Sequence, residues 1–160
     1  SDPSAEAIAE TVIKCARHVA RFGLKPKVAL VAHSDFGEFD TPTSIKMRAA
    51  LGLIRAGDPD LEIDGEMQAD TALIEAVRNR KLPSSTLKGE ANLLVMPDLA
   101  SANIAYQLVK VFGDALPVGP ILLGTARPAH ILTGSVTSRG VVNMTAIAVA
   151  EVATAGRSGA

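Results

Sequence analysis

Apolar residues recur at four-and-three spacing over 3–22, at Ile8, Val12, Cys15, Val19 and Phe22. That spacing predicts a helix, and Gly23 stands where a C′ glycine closes one. Pro26 ends the connection, and the apolar run 27–32, with Val28, Leu30 and Val31, reads as a buried strand. Residues 33–40 form the loop at its carboxyl end. Thr41 and Pro42 give a cap followed by proline at the first helical position. Met47, Ala50, Leu51 and Ile54 make the inward stripe of that second helix, which Gly57-Asp58-Pro59 stops. Residues 61–67 alternate apolar and acidic, which predicts a strand near the sheet edge. Asp70 is expected to cap a helix reaching about residue 82, with Leu73 and Val77 inward. A Pro-Ser-Ser turn and Gly89 follow, and 92–96 is another apolar strand.

Asp98 or Ser101 can cap the next helix, which carries Ile104, Leu108 and Val111 on one face and ends at Gly113. Residues 118–123 read as a fourth strand. After a polar turn over 124–137 comes a last helix with Val141, Met144, Ala148 and Val152 as its stripe. Strands separated by helices of this length need crossover connections. The expected fold is therefore α/β, a three-layer αβα arrangement around a mostly parallel sheet. Residues 1–160 are expected to form a single domain, without internal repeat, low-complexity tract or linker.

Hydrophobic residues make up 48% and charged residues 21% of the 160, a globular balance large enough for a real core. Aromatics are only 3%, with no tryptophan, so the core rests on aliphatic side chains. The same scarcity removes the stacking platforms of a single-strand nucleic-acid binder. Sixteen Lys+Arg balance seventeen Asp+Glu, and a net charge of −1 without a basic tract leaves no electrostatic footprint for DNA. No run reaches the ~18 apolar residues of a membrane span. The first residues, polar and acidic, do not resemble a signal peptide. The chain opens at Ser1 with a helix almost at once, which suggests a piece of something longer. Its one cysteine, Cys15, excludes an internal disulfide and a cysteine-cluster metal site, and its helix position suits an inert core thiol.

Ligands of such sheets sit beyond the carboxyl ends of the strands, which here selects the loops 33–42, 67–70, 97–101 and 124–137. Gly119 and Gly124 bracket a strand rather than open a helix, so neither the dinucleotide fingerprint nor the phosphate-binding loop is present. His33-Ser34-Asp35 has the residue types of a hydrolase triad, but neighbours in sequence cannot line up in series. His33 and Ser34 serve better as single ligand contacts. Glu62, Asp64 and Glu66 would share one strand face: a solvated edge, or less often a site for a hard cation. Thr133, Ser135 and Thr137 crowd the start of the last helix, with Arg139 in its first turn. Such a cation either pairs with a neighbouring carboxylate or, with hydroxyls and amide N–H groups, holds an anion. His130 reads as a hydrogen-bonded loop residue.

Several motifs together resemble the phosphotransacetylase family, the phosphate acetyl/butyryl transferases. They are Asp64-Gly65-Glu66-Met67-Gln68, then Pro97-Asp98-Leu99 followed by Asn103, Ile104 and Tyr106, then Gly119-Pro120-Ile121, and the turn with Pro128 and Leu132. The resemblance runs from about Phe22 to Val152. It implies one lobe, the second half, of a two-lobed fold like that of isocitrate and isopropylmalate dehydrogenases, with 126–155 crossing to the other lobe. The last helix is then expected to pack on its own domain or on a neighbouring chain.

The departures bear on function. Active members of the family carry Ser-Arg-Gly after that leucine, where this chain has Thr133, Gly134 and Ser135. The family's later aspartate corresponds to Gly140 and a further arginine to Val111. This pattern is similar to the C-terminal domains of bacterial hybrid malic enzymes, through Lys88–Pro97, Pro128–Thr133 and Val141–Thr145. The resemblance implies a non-catalytic, cytoplasmic domain that aids homo-oligomerisation and senses acetyl-CoA. No catalytic and no metal-ligating residue is assigned. The candidate ligand contacts are His33, Ser34, Thr133, Arg139 and Asn143. No cofactor is expected in this stretch; NADP and Mg or Mn belong to an N-terminal malic enzyme part, and neither nucleic acid nor membrane is a partner. The alternatives are an active phosphate acetyltransferase, making acetyl phosphate from acetyl-CoA and phosphate, and a pure assembly module with a vestigial cleft.

Overall fold

A computed structural model describes residues 2–134 and 136–155. They divide into two compact units, with the boundary between Tyr106 and Gln107. The first unit is built on three parallel strands, β1 (Lys27–Val31), β2 (Glu62–Met67) and β3 (Leu93–Val95), in the order β2-β1-β3. Helix α1 (Ala5–Arg21) precedes β1, helices α2 (Pro42–Gly57), α3 (Ala69–Leu73) and α4 (Glu75–Lys81) form the connections, and α5 (Leu99–Phe112) follows β3.

The central strand β1 is apolar from Val28 to Val31 because both its faces are covered. Val28 and Leu30 pack with Ile8, Val12, Met47, Ala50 and Ile54 of α1 and α2. Ala29 and Val31 point the other way, onto Met67, Ala72, Leu87 and Ala91. This alternation with period two gives the expected three layers. Local chemistry sets the helix ends. Ser4 caps α1 through the Ala7 amide, and Gly23 ends it at φ +76°. Thr41 Oγ1 accepts the Ser44 amide at 3.2 Å, with Pro42 in the first helical position. Asp98 accepts the Ser101 amide at 2.8 Å and opens α5.

Several expectations need correction. Cys15 is only partly covered, although burial still raises its thiol pKa and keeps it protonated. Phe22 is 54% exposed, its ring set edge-on to His18 rather than in the core. The helix expected over 70–82 is two helices, broken at the extended residue Ile74, and Leu73 faces solvent. No strand forms over 118–123 among the described residues: Pro120 lacks an amide donor and no second strand is there to bond it.

The acidic run is also not a solvated face. The register passes from Leu30↔Gly65 to Val31↔Met67, so Glu66 is an extra residue in a β-bulge. Only glycine suits position 65, because its φ is +141° and a Cβ there would stand 2.6 Å from the Leu30 carbonyl oxygen. The bulge re-aims Glu66 inward, and both Asp64 and Glu66 are buried against arginines.

The second unit contains the end of α5, an irregular stretch, and α6 (Ser138–Ala155). Of the stripe expected on α6, Met144 is buried, whereas Val141 and Val152 are exposed. Packing within the unit thus covers only part of that face.

Candidate functional site

In the first unit the strands end together, and the loop after β1 is stitched across the end of β2. Ala32 N–H donates to Met67 O at 2.8 Å and Phe36 N–H to Glu66 O at 2.7 Å. Gln68 donates its amide to Asp35 Oδ1 and its side chain to His33 O, both at 2.9 Å. Phe36 holds a left-handed φ of +47° to make this turn. The bulged Glu66 sits beneath it, Oε1 accepting from Gly37 N at 2.8 Å and Arg48 Nη1 at 3.0 Å. Arg48 also pairs with Asp40.

A cavity of about 460 Å³ opens beside this turn, lined by Asp35, Phe36, Gly37, Glu38, Lys81 and Leu82. Two of its charges, Asp35 and Lys81, are matched to each other. Lys81 Nζ donates to Asp35 Oδ2 at 2.5 Å, to Thr71 Oγ1 at 3.1 Å and to Gln68 Oε1 at 3.3 Å. Burial works to raise the Asp35 carboxyl, but the hydrogen bonds from Lys81, the Gln68 amide and Thr71 outweigh it and hold the pKa below its ordinary value. The hydrogen bond to Asp35 raises the Lys81 ammonium in turn. Both groups are therefore fixed in their charged forms. Neither is available as a proton carrier near neutrality.

In the second unit the polar turn runs into α6. Val136 N–H donates to Thr133 O at 3.0 Å, and Gly140 N–H to Thr137 Oγ1 at 3.1 Å, capping the helix. Arg139 lies exposed in the first turn of α6, which holds no acidic residue. It makes no ion pair among the described residues, so the carboxylate-paired alternative is not what the structure shows. His130 bridges two segments: its Nδ1 accepts the Leu122 amide at 3.4 Å and its Nε2 stands 3.3 Å from Glu151 Oε2.

The five candidate contacts are distributed over the two units. His33 is exposed and stacks on Phe39, with ring centroids 6.3 Å apart. Ser34 is fully buried, its hydroxyl 2.8 Å from that of Ser44, which in turn lies 3.1 Å from Thr41 Oγ1. Ser34 is thus a structural neighbour of the loop. Thr133 and Arg139 lie exposed at the start of α6, and Asn143 is half-buried one turn on. Ser135 falls outside the described residues. Among those residues, no three His, Cys, Asp or Glu side chains gather in a way that could hold a metal ion, and no helix is long and apolar enough to cross a membrane.

Sequence reasoning places Glu66 on a strand face, solvated or cation-binding, and misses both its burial and the part played by Lys81. Gly65, an isolated glycine inside a strand pattern, was the available signal for a bulge and hence for a re-aimed Glu66. Nothing local marks Lys81, whose partner is 46 residues away.

The family model for phosphate acetyl/butaryl transferase matches residues 1–149. An NAD-dependent malic enzyme of Rhizobium meliloti (strain 1021) is 58% identical over 149 residues, covering 93% of the chain and 19% of that protein. An NADP-dependent malic enzyme of Escherichia coli (strain K12) is 50% identical over 154 residues, covering 96% and 20%. A phosphotransacetylase from Streptococcus pyogenes superposes with a TM-score of 0.89 at 33% identity, covering 93% of the chain and 45% of that structure. The chain thus spans about a fifth of the malic enzymes it matches and less than half of the phosphotransacetylase.

Proposed function

The chain belongs to the phosphate acetyl/butaryl transferase family, and we propose that it serves a malic enzyme as a non-catalytic domain that binds acetyl-CoA and holds the subunits together. The parent enzyme would oxidatively decarboxylate malate in its N-terminal part, using a divalent cation such as Mg or Mn. Its nicotinamide would be NADP or NAD: the relative sharing 58% identity is NAD-dependent and the one sharing 50% is NADP-dependent. The assembly is cytoplasmic in this reading.

One observation carries the proposal. Arg139 stands exposed at a helix start, near Thr133 and Thr137 in the chain, and makes no ion pair among the described residues, while Asp35 pairs with Lys81 and Glu66 with Arg48 at the sheet end. A free guanidinium beside hydroxyls recognises phosphate or pyrophosphate without supplying proton transfer. The similarity to malic enzymes over more than nine-tenths of the chain supports the same reading. So does the sequence itself, with Gly134, Gly140 and Val111 at positions where transferase chemistry calls for charge.

The test uses the full-length enzyme. Acetyl-CoA titrated calorimetrically is expected to bind and to alter the rate of malate-dependent reduction of the nicotinamide. Arg139→Ala is expected to weaken acetyl-CoA binding about tenfold, the scale of one charge-assisted hydrogen bond. Unchanged affinity removes Arg139 from the site. Appreciable acetyl phosphate formation from acetyl-CoA and phosphate would replace this reading with the active transferase, which the likeness to phosphotransacetylase keeps in view.

A further inference from the structure

We infer that His130 is a positioning residue, a strut that fixes the turn before α6 to the body of that helix and so sets where Thr133 and Arg139 stand. The inference rests on the binding role proposed for that turn. Three segments meet at this imidazole. Leu122 in the irregular stretch donates its amide to Nδ1 at 3.4 Å, and Glu151 in the last turns of α6 presents Oε2 3.3 Å from Nε2. His130 itself stands between them, two residues after Pro128. The pair is well covered, with side-chain exposures of 4% for His130 and 10% for Glu151.

The partners dictate the tautomer. A neutral imidazole has one N–H and one bare nitrogen. Nδ1 accepts an amide hydrogen, so the proton sits on Nε2 and faces the Glu151 carboxylate. That contact has ion-pair distance without hydrogen-bond alignment, so attraction rather than directionality holds it. With Nδ1 and Nε2 both engaged, the ring cannot flip without breaking two contacts. The turn 128–134 thereby acquires a fixed register against α6. Glycine at 134 would otherwise leave it free to vary. Pro128 reinforces the arrangement, lining an apolar groove with Ala148, Val149 and Val152 of the same helix.

The full-length protein is compared as wild type, His130→Leu and His130→Gln, since glutamine keeps a donor and an acceptor. Hydrogen exchange over 120–124 and 148–152 gives a readout that needs no ligand, and acetyl-CoA affinity gives a second. His130→Leu is expected to speed exchange in both segments about tenfold, as loss of the Leu122 hydrogen bond and of the contact to Glu151 implies. It should also weaken acetyl-CoA, with His130→Gln restoring most of both. Nitrogen-15 shifts of the imidazole should report the proton on Nε2. A proton on Nδ1, or unchanged exchange in His130→Leu, overturns the inference. Should His130→Leu fail to fold, Glu151→Gln keeps the question open to measurement: it is expected to preserve the Leu122 amide protection, and loss there overturns the strut. Wild-type protein that shows this protection but binds no acetyl-CoA refutes the ligand reading alone.

Discussion

At the scale of single residues, the turn after β1 shows buried charges used for fixing a shape. Asp35 touches Gln68, Lys81 and the strand end at once, and its carboxyl pKa is lowered in the fold. A lowered carboxyl contributes stability above its unfolded value, about 4, and loses that contribution as pH falls through the native value. Lys81 has the opposite sign: its raised pKa contributes below the ordinary lysine range and fades only in strong alkali. Across neutral pH both contributions are present in full. Urea unfolding of wild type and Asp35→Asn should therefore differ most from about pH 5 upward. The two stabilities should converge on the acid side of pH 4. A constant difference across the acid range would show that Asp35 acts through packing alone. His33, one turn away, contributes an exposed ring stacked on Phe39, and Ser34 a buried hydroxyl. Of these two candidate contacts only His33 is open to a ligand from solvent.

At the scale of elements, the break between α3 and α4 has a clear cause in Arg78. This side chain is fully buried, and its guanidinium donates to four backbone carbonyls: Thr71, Ala72, Leu87 and Gly89. It satisfies carbonyls at the carboxyl end of α3 and ties them to the loop that follows α4. Arg78→Ala would strand those carbonyls and is expected to cost roughly 3 kcal/mol or more. The check is a urea midpoint together with faster exchange confined to 69–91. Global loss of protection without a local effect would assign Arg78 to general core packing instead. Much of the rest was legible from periodicity. The bounds of α1, the inward stripe of α2, the apolar runs of β1 and β3 and the Thr41-Pro42 cap all lie within a residue or two of expectation. What failed was non-local. A helical pattern over 70–82 cannot show that Arg78 turns inward to carbonyls from another segment. An alternating strand cannot show where a bulge reverses its faces, as it does at Glu66. The run at 118–123 has strand composition but no neighbour, and a strand without a ladder is only extended chain. The same limit applied to the site: Thr133 and Arg139 were visible as a cluster by spacing, whereas the Asp35–Lys81 and His130–Glu151 pairs depend on tertiary folding.

At the scale of the molecule, the decisive feature is how much apolar surface the chain leaves uncovered. No residue of α5 is buried, and Leu99, Ile104, Val109, Val111 and Phe112 are each more than half exposed. Val142, Val149 and Val152 on α6 are exposed to a similar degree. Soluble monomers rarely carry contiguous apolar faces of this kind without using them. The chain also spans only 45% of a phosphotransacetylase whose fold it shares at a TM-score of 0.89. Surface that is bare in the 160-residue chain therefore has ample further chain available to cover it in a longer protein. The 160-residue chain alone is expected to self-associate, its weight-average sedimentation coefficient rising with concentration. In the full-length protein the amides of 104–112 should exchange about tenfold or more slowly than in the isolated chain, as packing of a bare helix implies. A chain that stays monomeric at every concentration, with helix α5 equally unprotected in both contexts, would mean that this face has no partner. An assembly that forms but ignores acetyl-CoA would leave a purely architectural domain, with Arg139 on its surface for another reason.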